Sequence, residues 1–466
     1  MTYKKIAITI AVMLACIAAF IAILDAKLPA LGAFFLSVSV LMLSGLYLQL
    51  AHGIEGEYGL LMFKNKSTLG LLDKIAEFNP ELWKLLADFG LVFGYGLLSY
   101  FMIDGRKTNP KRFFTVYVVS LIALMLVSIF VAPFVFELAG TVISNLDVSS
   151  ATSQVRAATS GIPFFAVFAF LVLIIGGMSL SAVVSIVTYA ALIIKEVTVS
   201  AAAGVASNAA PGASFLLPGI NLPLVEGILA LGVLLIVHEA AHGVLSRVAK
   251  IKVDSAGVAL FGFLPMGAFV EPDEKQLAKK SRIEQLRVMV AGSTSNFLAS
   301  IFFFALLVAF AIGTYGYRAD ALYVVSGPIQ NGTYVFSMGG IPASQLKGHV
   351  FEPGQEVGIA TSAGEKTLAA DSGGHLGITS HYVPAGAFAL SPVYPPQYSF
   401  LGFIFRFLVL AFVLNFLVGT VNLLPLPMFD GQRIVEIVLN DKRIVLAIAV
   451  VVGVAFASNF LPWIIK

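Results

Sequence analysis

The feature that most limits what this chain can become is the recurrence of apolar stretches about 20 residues long, the length a helix needs to cross a bilayer. They lie at 6–24, 29–50, 87–103, 113–136, 163–194, 222–248, 286–313, 401–422 and 443–464. With 58% of its residues hydrophobic and 12% charged, and a mean hydropathy of +0.93, a 466-residue chain has too little polar surface to stay dispersed in water. The net charge of +3 argues against a nucleic-acid partner, whose recognition needs a concentrated basic face. The first apolar run follows Lys4 and Lys5 but lacks a convincing cleavage site and continues into a second run, so it reads as a retained span.

Lys and Arg collect at 105–112 (Arg106, Lys107, Lys111, Arg112) and at 247–287 (Arg247, Lys250, Lys252, Lys275, Lys279, Lys280, Arg282, Arg287). Both segments are therefore expected on the cytoplasmic side. Residues 196–221 and 314–399 are poor in basic groups and are expected opposite. On this reading 222–248 runs inward and 286–313 returns. Upstream the count does not close with a single pass for 163–194, so either Gly176-Gly177 divides that run or a neighbouring segment is re-entrant. The expected divisions are an N-terminal multi-span region at 1–195, a first core half at 196–313, an extracytoplasmic insertion at 314–399 and a second core half at 400–466.

Inside the run at 222–248 stand His238, Glu239 and His242, reading HEAAHG at 238–243. On a helix, positions i and i+4 share a face, so the two imidazoles can hold one metal ion while Glu239 lies beside it to polarise a water. Each ionisable group at such depth costs roughly 2.5–3.5 kcal/mol on insertion scales, and coordination offsets that cost. A catalytic ion needs a third protein ligand and one open position. Asp430 is the candidate: in NLLPLPMFDG at 422–431, Pro425 and Pro427 stop the preceding helix and leave Asp430 in an apolar turn. By itself Asp430 has an alternative reading as an interfacial turn residue, and Asn422 one as a helix-stop hydrogen bond.

HEAAHG together with NLLPLPMFDG resembles the paired signature of the site-2 protease family of intramembrane zinc metalloproteases. The resemblance implies one Zn2+ per chain on His238, His242 and Asp430, with Glu239 and Asn422 as catalytic residues, the latter holding the substrate backbone or the developing oxyanion. Phe429 stands where leucine is more usual in that family, and Ser293 where a proline is often found. Residues 217–223 resemble the lead-in to the metal helix in archaeal and eukaryotic relatives. Residues 257–271, around Pro265 and Gly267, resemble the membrane-associated β-hairpin that follows it, though a plain loop is the alternative. With these two, Asn296 of the small-residue motif at 291–297 is placed on the substrate-binding side, although helix packing alone would also explain it.

The insertion carries short β-like runs at 321–325 and 334–336, and its 340–346 and 352–357 stretches resemble PDZ domains, with an unrelated small β insertion as the alternative. The fold expected is an all-α multi-span membrane protein of about eight to ten transmembrane helices, with a membrane-associated β-hairpin and a small PDZ-like α/β insertion. The resemblance implies an integral multi-pass enzyme with its site near the cytoplasmic side. It also implies membrane-spanning protein substrates within the lipid bilayer, and leaves room for an upstream protease acting on the same substrate. The competing reading is a transporter or channel that binds a cation at the His/Glu/Asp cluster.

Overall fold

Runs of apolar residues become helices where every backbone N–H and C=O can be satisfied inside the segment, the only open-ended solution in hydrocarbon. The computed structural model, which describes residues 3–26, 28–103, 109–131, 163–214, 216–385 and 392–465 together with 135 and 138, has nine helices among those residues that are long and apolar enough to cross a membrane. They follow the nine expected runs, and the protein is an integral, multi-pass membrane protein. The main helices are α1 (Tyr3–Asp25), α2 (Ala30–His52), α3 (Lys66–Phe78), α4 (Pro80–Tyr95), α5 (Pro110–Leu126), α6 (Pro163–Ala202), α7 (Leu224–Val248), α8 (Arg282–Gly313), α9 (Ser399–Val421), α10 (Asp430–Leu439) and α11 (Lys442–Ser458). Arg106 and Lys107, and the end of the run at 113–136, lie outside the described residues.

One boundary differs from expectation for an identifiable reason. The span expected at 87–103 starts earlier, at Pro80, because Asn79 caps α4 by accepting from Leu82 N–H at 3.0 Å and Pro80 takes the first helical position. The stretch between the expected runs at 29–50 and 87–103 contributes, ahead of α3, two strands, β1 (Gly56–Glu57) and β2 (Leu60–Lys64). These join β3 (Val253–Phe261) and β4 (Leu264–Pro272) in an antiparallel sheet of order β1-β2-β3-β4. The pairing of 60–64 with 257–261 joins residues almost two hundred positions apart, which local periodicity cannot disclose. β3 and β4 pair antiparallel, turning at Gly262, whose φ of 61° suits a residue without Cβ.

α6 is 40 residues long, about 60 Å if straight, twice the hydrocarbon thickness. It is not one helix: Gly177, at φ 60° and ψ −155°, breaks it. The break is forced by a close approach, since a Cβ at Gly177 would press on the backbone of Gly94, Tyr95 and Gly96. The break falls at the second residue of the Gly176-Gly177 pair. The segment after the break, 178–202, is long enough to span by itself, whereas 163–176 is short for a straight crossing.

The chain divides into two compact units, residues 1–302 with 410–466, and residues 303–409. The second is built on an antiparallel sheet of β5 (Ala321–Ser326), β6 (Tyr334–Met338), β7 (Ile341–Pro342), β8 (Glu356–Thr361), β9 (Gly364–Ala369) and β10 (Thr379–Val383). Its order is β10-β5-β6-β8-β9, with β7 on β6. Val324, Ile329, Val335, Met338, Val357 and Ile359 form its core. The α/β character expected of the insertion is not found among the described residues: between β5 and α9 the helical content is limited to 3-10 turns at Ala343–Gln345 and Pro396–Tyr398. Asp371 closes a turn by accepting from the backbone N–H groups of His375 and Gly373, which hold its carboxyl below the usual carboxylate range.

A side chain at position 177 tests the break. Gly177→Ala places a Cβ in a region of backbone space almost reserved for glycine, at a cost of order 1–3 kcal/mol. The detergent-solubilised variant should unfold at a clearly lower temperature than the wild type; an unchanged thermal midpoint would contradict the packing described.

Candidate metal centre

α7 begins after Pro223, which fixes the entry into the helix, and runs through an apolar sequence broken by Glu226, by the histidine pair with its glutamate and, in the last turn, by Ser246 and Arg247. One turn apart, His238 and His242 point the same way and are 6% and 8% exposed. Burying two imidazoles without partners would be costly, so their surroundings carry the explanation.

The third group arrives from the far end of the sequence. Pro425 cannot follow a continuous helix because its ring collides with the carbonyl four residues earlier, and α9 duly ends at Val421. The chain then makes a tight loop, closed where Gly431 N–H donates to Asn422 C=O at 2.8 Å. Ser179 Oγ, just past the α6 break, donates to Leu423 C=O at 2.8 Å. A Cβ on Gly431 would overlap the Leu423 and Leu424 backbone, so glycine is needed there. Asp430 is thereby set as the first residue of α10, where a carboxylate also complements the helix dipole.

These elements bring three ligand atoms to one corner. Asp430 Oδ2 lies 3.2 Å from His238 Nε2 and 3.2 Å from His242 Nε2, and the two Nε2 atoms are 3.2 Å apart. The result is an equilateral triangle. A four-coordinate divalent ion such as zinc, with ligand bonds of about 2.0–2.1 Å, spaces its ligand atoms about 3.3 Å apart. Tautomer chemistry agrees for one corner: His242 Nδ1 lies 2.8 Å from the Val288 carbonyl, which can only accept. Nδ1 must then carry the proton, and in the neutral ring Nε2 presents a lone pair to the corner. Asp430 Oδ2 is buried and has no hydrogen-bond partner among the described residues despite its short contacts with the imidazoles. Its lone pairs and theirs face a common point, which a cation satisfies and a hydrogen bond does not. The residues present fit a metal ion.

α8 lines the opposite side of the corner. Gly292 is so close that an added Cβ would land on His238 Cε1 and Nε2 and on His242 Nε2. Ser295 Oγ donates to Val237 C=O at 3.1 Å, tying α8 to α7. Asn296, fully buried, has its amide 3.1 Å from His238 Nδ1. One turn before Gly292 is Val288, and beside it Arg287 forks onto Asp88 of α4 with two contacts of 2.7 Å. Arg287 is one of the basic residues expected on the cytoplasmic side, and Asp88 is not among the expected site residues. The signal was there, an aspartate inside an apolar run, which by default marks a paired or functional group.

The remaining expected site residues fall as follows. Glu239 is half-buried and is not one of the three converging groups. Asn422 is half-buried at the end of α9, its side-chain amide without a hydrogen-bond partner among the described residues. Pro265 and Gly267 lie on β4, and a Cβ on Gly267 would overlap Leu235 of α7, so this strand runs hard against the metal helix. Gly292→Ala should abolish metal binding by pushing the imidazoles apart. The check is metal content of the purified variant beside its thermal midpoint; a folded variant that retains one ion per chain would refute the proximity of α8 to the corner.

The family model of peptidase family M50 matches residues 226–459, half of the chain, and contains all of these helices from α7 onward. An uncharacterized protein of Methanocaldococcus jannaschii is 26% identical over 226 residues, 46% of this chain and 58% of the relative. The chain thus spans somewhat more than half the length of that curated relative. Neither comparison favours the cation-conducting reading, and with half its length accounted for, the chain belongs to peptidase family M50, the site-2 protease family.

Proposed function

We propose that the protein is a zinc endopeptidase that hydrolyses peptide bonds of membrane-spanning protein substrates within or beside the bilayer. The observation that carries this reading is the triangle of His238 Nε2, His242 Nε2 and Asp430 Oδ2, each 3.2 Å from the others, with Glu239 next to it and outside it. Three protein ligands leave a fourth position open, the arrangement of catalytic rather than structural zinc. Zinc held there supplies a Lewis acid that makes water acidic enough to ionise near neutral pH.

The chain's own residues do the rest. Glu239 takes a proton from the attacking water as the new C–O bond forms. It then delivers that proton to the amide nitrogen as the C–N bond breaks. The Asn422 side-chain amide, without a hydrogen-bond partner among the described residues, is suited to donate to the substrate carbonyl as negative charge develops on its oxygen. Around them the apolar helices keep the local dielectric low, which strengthens each of these interactions.

A helical substrate hides its peptide bonds, so it must be drawn out before it can be cut. β4 supports a means of doing so. Among the described residues it pairs with β3 on one side only, and the N-terminal strands β1 and β2 occupy the other edge of β3. The sheet therefore offers its long unpaired edge next to α7, and an extended substrate added there, alongside Pro265 and Gly267, would have its backbone presented toward the corner. The gathering of Arg247, Lys250 and Lys252 just beyond the histidines supports a site toward the cytoplasmic face. An upstream protease that first trims the substrate fits this scheme as a partner.

Glu239→Gln keeps the shape and removes the base. It should retain one zinc per chain while lowering cleavage of a transmembrane test peptide by about 10²–10⁴-fold. Cleavage at the wild-type rate would remove Glu239 from the mechanism.

A further inference from the structure

Val288, Gly292 and Asn296 recur at intervals of four along α8, so they form one stripe facing the two imidazoles. The first anchors His242 Nδ1 through its backbone carbonyl at 2.8 Å. The second leaves room for both rings. The third meets His238 Nδ1, with its amide nitrogen Nδ2 at 3.1 Å, and here the chemistry conflicts. If His238 Nε2 presents its lone pair to the corner shared with Asp430 and His242, the neutral ring keeps its proton on Nδ1. An N–H of the ring would then face an N–H of the amide. Meanwhile the acceptor end of the same amide, Asn296 Oδ1, is buried with no hydrogen-bond partner among the described residues. Asn296 is 0% exposed, so bulk water does not relieve the mismatch. A half-turn about the Cβ–Cγ bond exchanges the two ends within the same space.

We propose that Asn296 turns Oδ1 toward His238 and accepts its Nδ1 proton, and so acts as a positioning residue for the first metal ligand. The inference rests on the zinc reading above. Its effect is to fix one tautomer of His238, set the tilt of the ring, and make Nε2 a better donor to a cation. The two histidines then differ in how they are held. His242 leans on a main-chain carbonyl that no substitution removes, whereas His238 depends on a single side chain. That side chain is itself fixed in place: Ser295 ties the adjoining turn to α7, and Gly419 of α9 packs against the Asn296 Cβ. The alternative is that Asn296 is only a small residue admitted between close-packed helices. In that case the identity of its polar atoms would not matter.

Three substitutions separate the two. Aspartate can accept but not donate, leucine has nearly the same shape and does neither, and alanine leaves space without polar atoms. The measurement is zinc affinity of the full-length protein in detergent, by competition with a chromogenic chelator, together with the visible absorption of the cobalt-substituted form. Neither readout needs cleavage. Asn296→Leu and Asn296→Ala should bind zinc about 10–100-fold more weakly than wild type and shift the cobalt bands. Asn296→Asp should bind at least as tightly as wild type and restore the bands. Should leucine fail to fold, alanine and aspartate still give the comparison. Wild-type affinity in the folded leucine or alanine variant would overturn the proposal, as would an aspartate variant no tighter than alanine. If the wild type itself held no stoichiometric zinc, the zinc reading would fall first and this inference with it; loss confined to the variants' expected pattern is specific to Asn296.

Discussion

Everything in the membrane-embedded half of this protein is arranged around one electrostatic problem, which is how to keep two imidazoles and a carboxylate out of water together. An isolated charge or unpaired polar group in such a setting costs several kcal/mol. The solution is convergence, with Asp430 Oδ2 and the two Nε2 atoms pointing at one place with equal 3.2 Å separations. A divalent cation there turns three liabilities into ligands. The glycine at 292 leaves room for both imidazoles, and the two prolines before Asp430 end α9 so that the chain can turn toward them.

α8 links the centre to the rest of the fold. Within ten residues it contributes the Arg287 fork to Asp88, the Val288 carbonyl, the Gly292 gap, the Ser295 bond to α7 and the Asn296 contact with His238. Asp88 belongs to α4, outside the stretch matched to the peptidase family. The N-terminal helices therefore do more than add spans. One of them supplies the counter-ion that steadies the segment of α8 in contact with the two histidines. Truncating one side of a forked pair that is largely out of water leaves the other charge uncompensated and is destabilising. The same region covers the β3 edge with β2, leaving β4 as the edge beside α7.

Much of this was legible in the residues themselves. Hydropathy alone located the nine runs, because helices in hydrocarbon must satisfy their backbone internally and are correspondingly long and uniform. His238 and His242 were identifiable from spacing, and Asp430 from an acidic residue after prolines that end a helix. What escaped was long-range. The strands at 56–57 and 60–64 are short, and their partner at 253–261 lies far along the chain. The Asp88–Arg287 pair unites a charge expected on the cytoplasmic side with one hidden in an apolar run. Asn296 was read as a substrate-side residue; its position against His238 Nδ1 follows from the rotation of α8 about its axis, which a single sequence does not specify. The insertion's glycine-rich turns signalled strands correctly, but not the sheet order that joins β10 to β5 and β8 to β6.

The most direct test of the central claim is X-ray absorption at the zinc edge of the zinc-loaded, full-length protein. A shared corner requires one ion per chain whose inner shell contains two imidazole nitrogens and at least one carboxylate oxygen, all at about 2.0–2.2 Å, with the carboxylate contribution lost in Asp430→Ala. An ion bound with no change in its inner shell on removal of Asp430 would contradict it, because the carboxylate and the histidines would then not meet on the same metal.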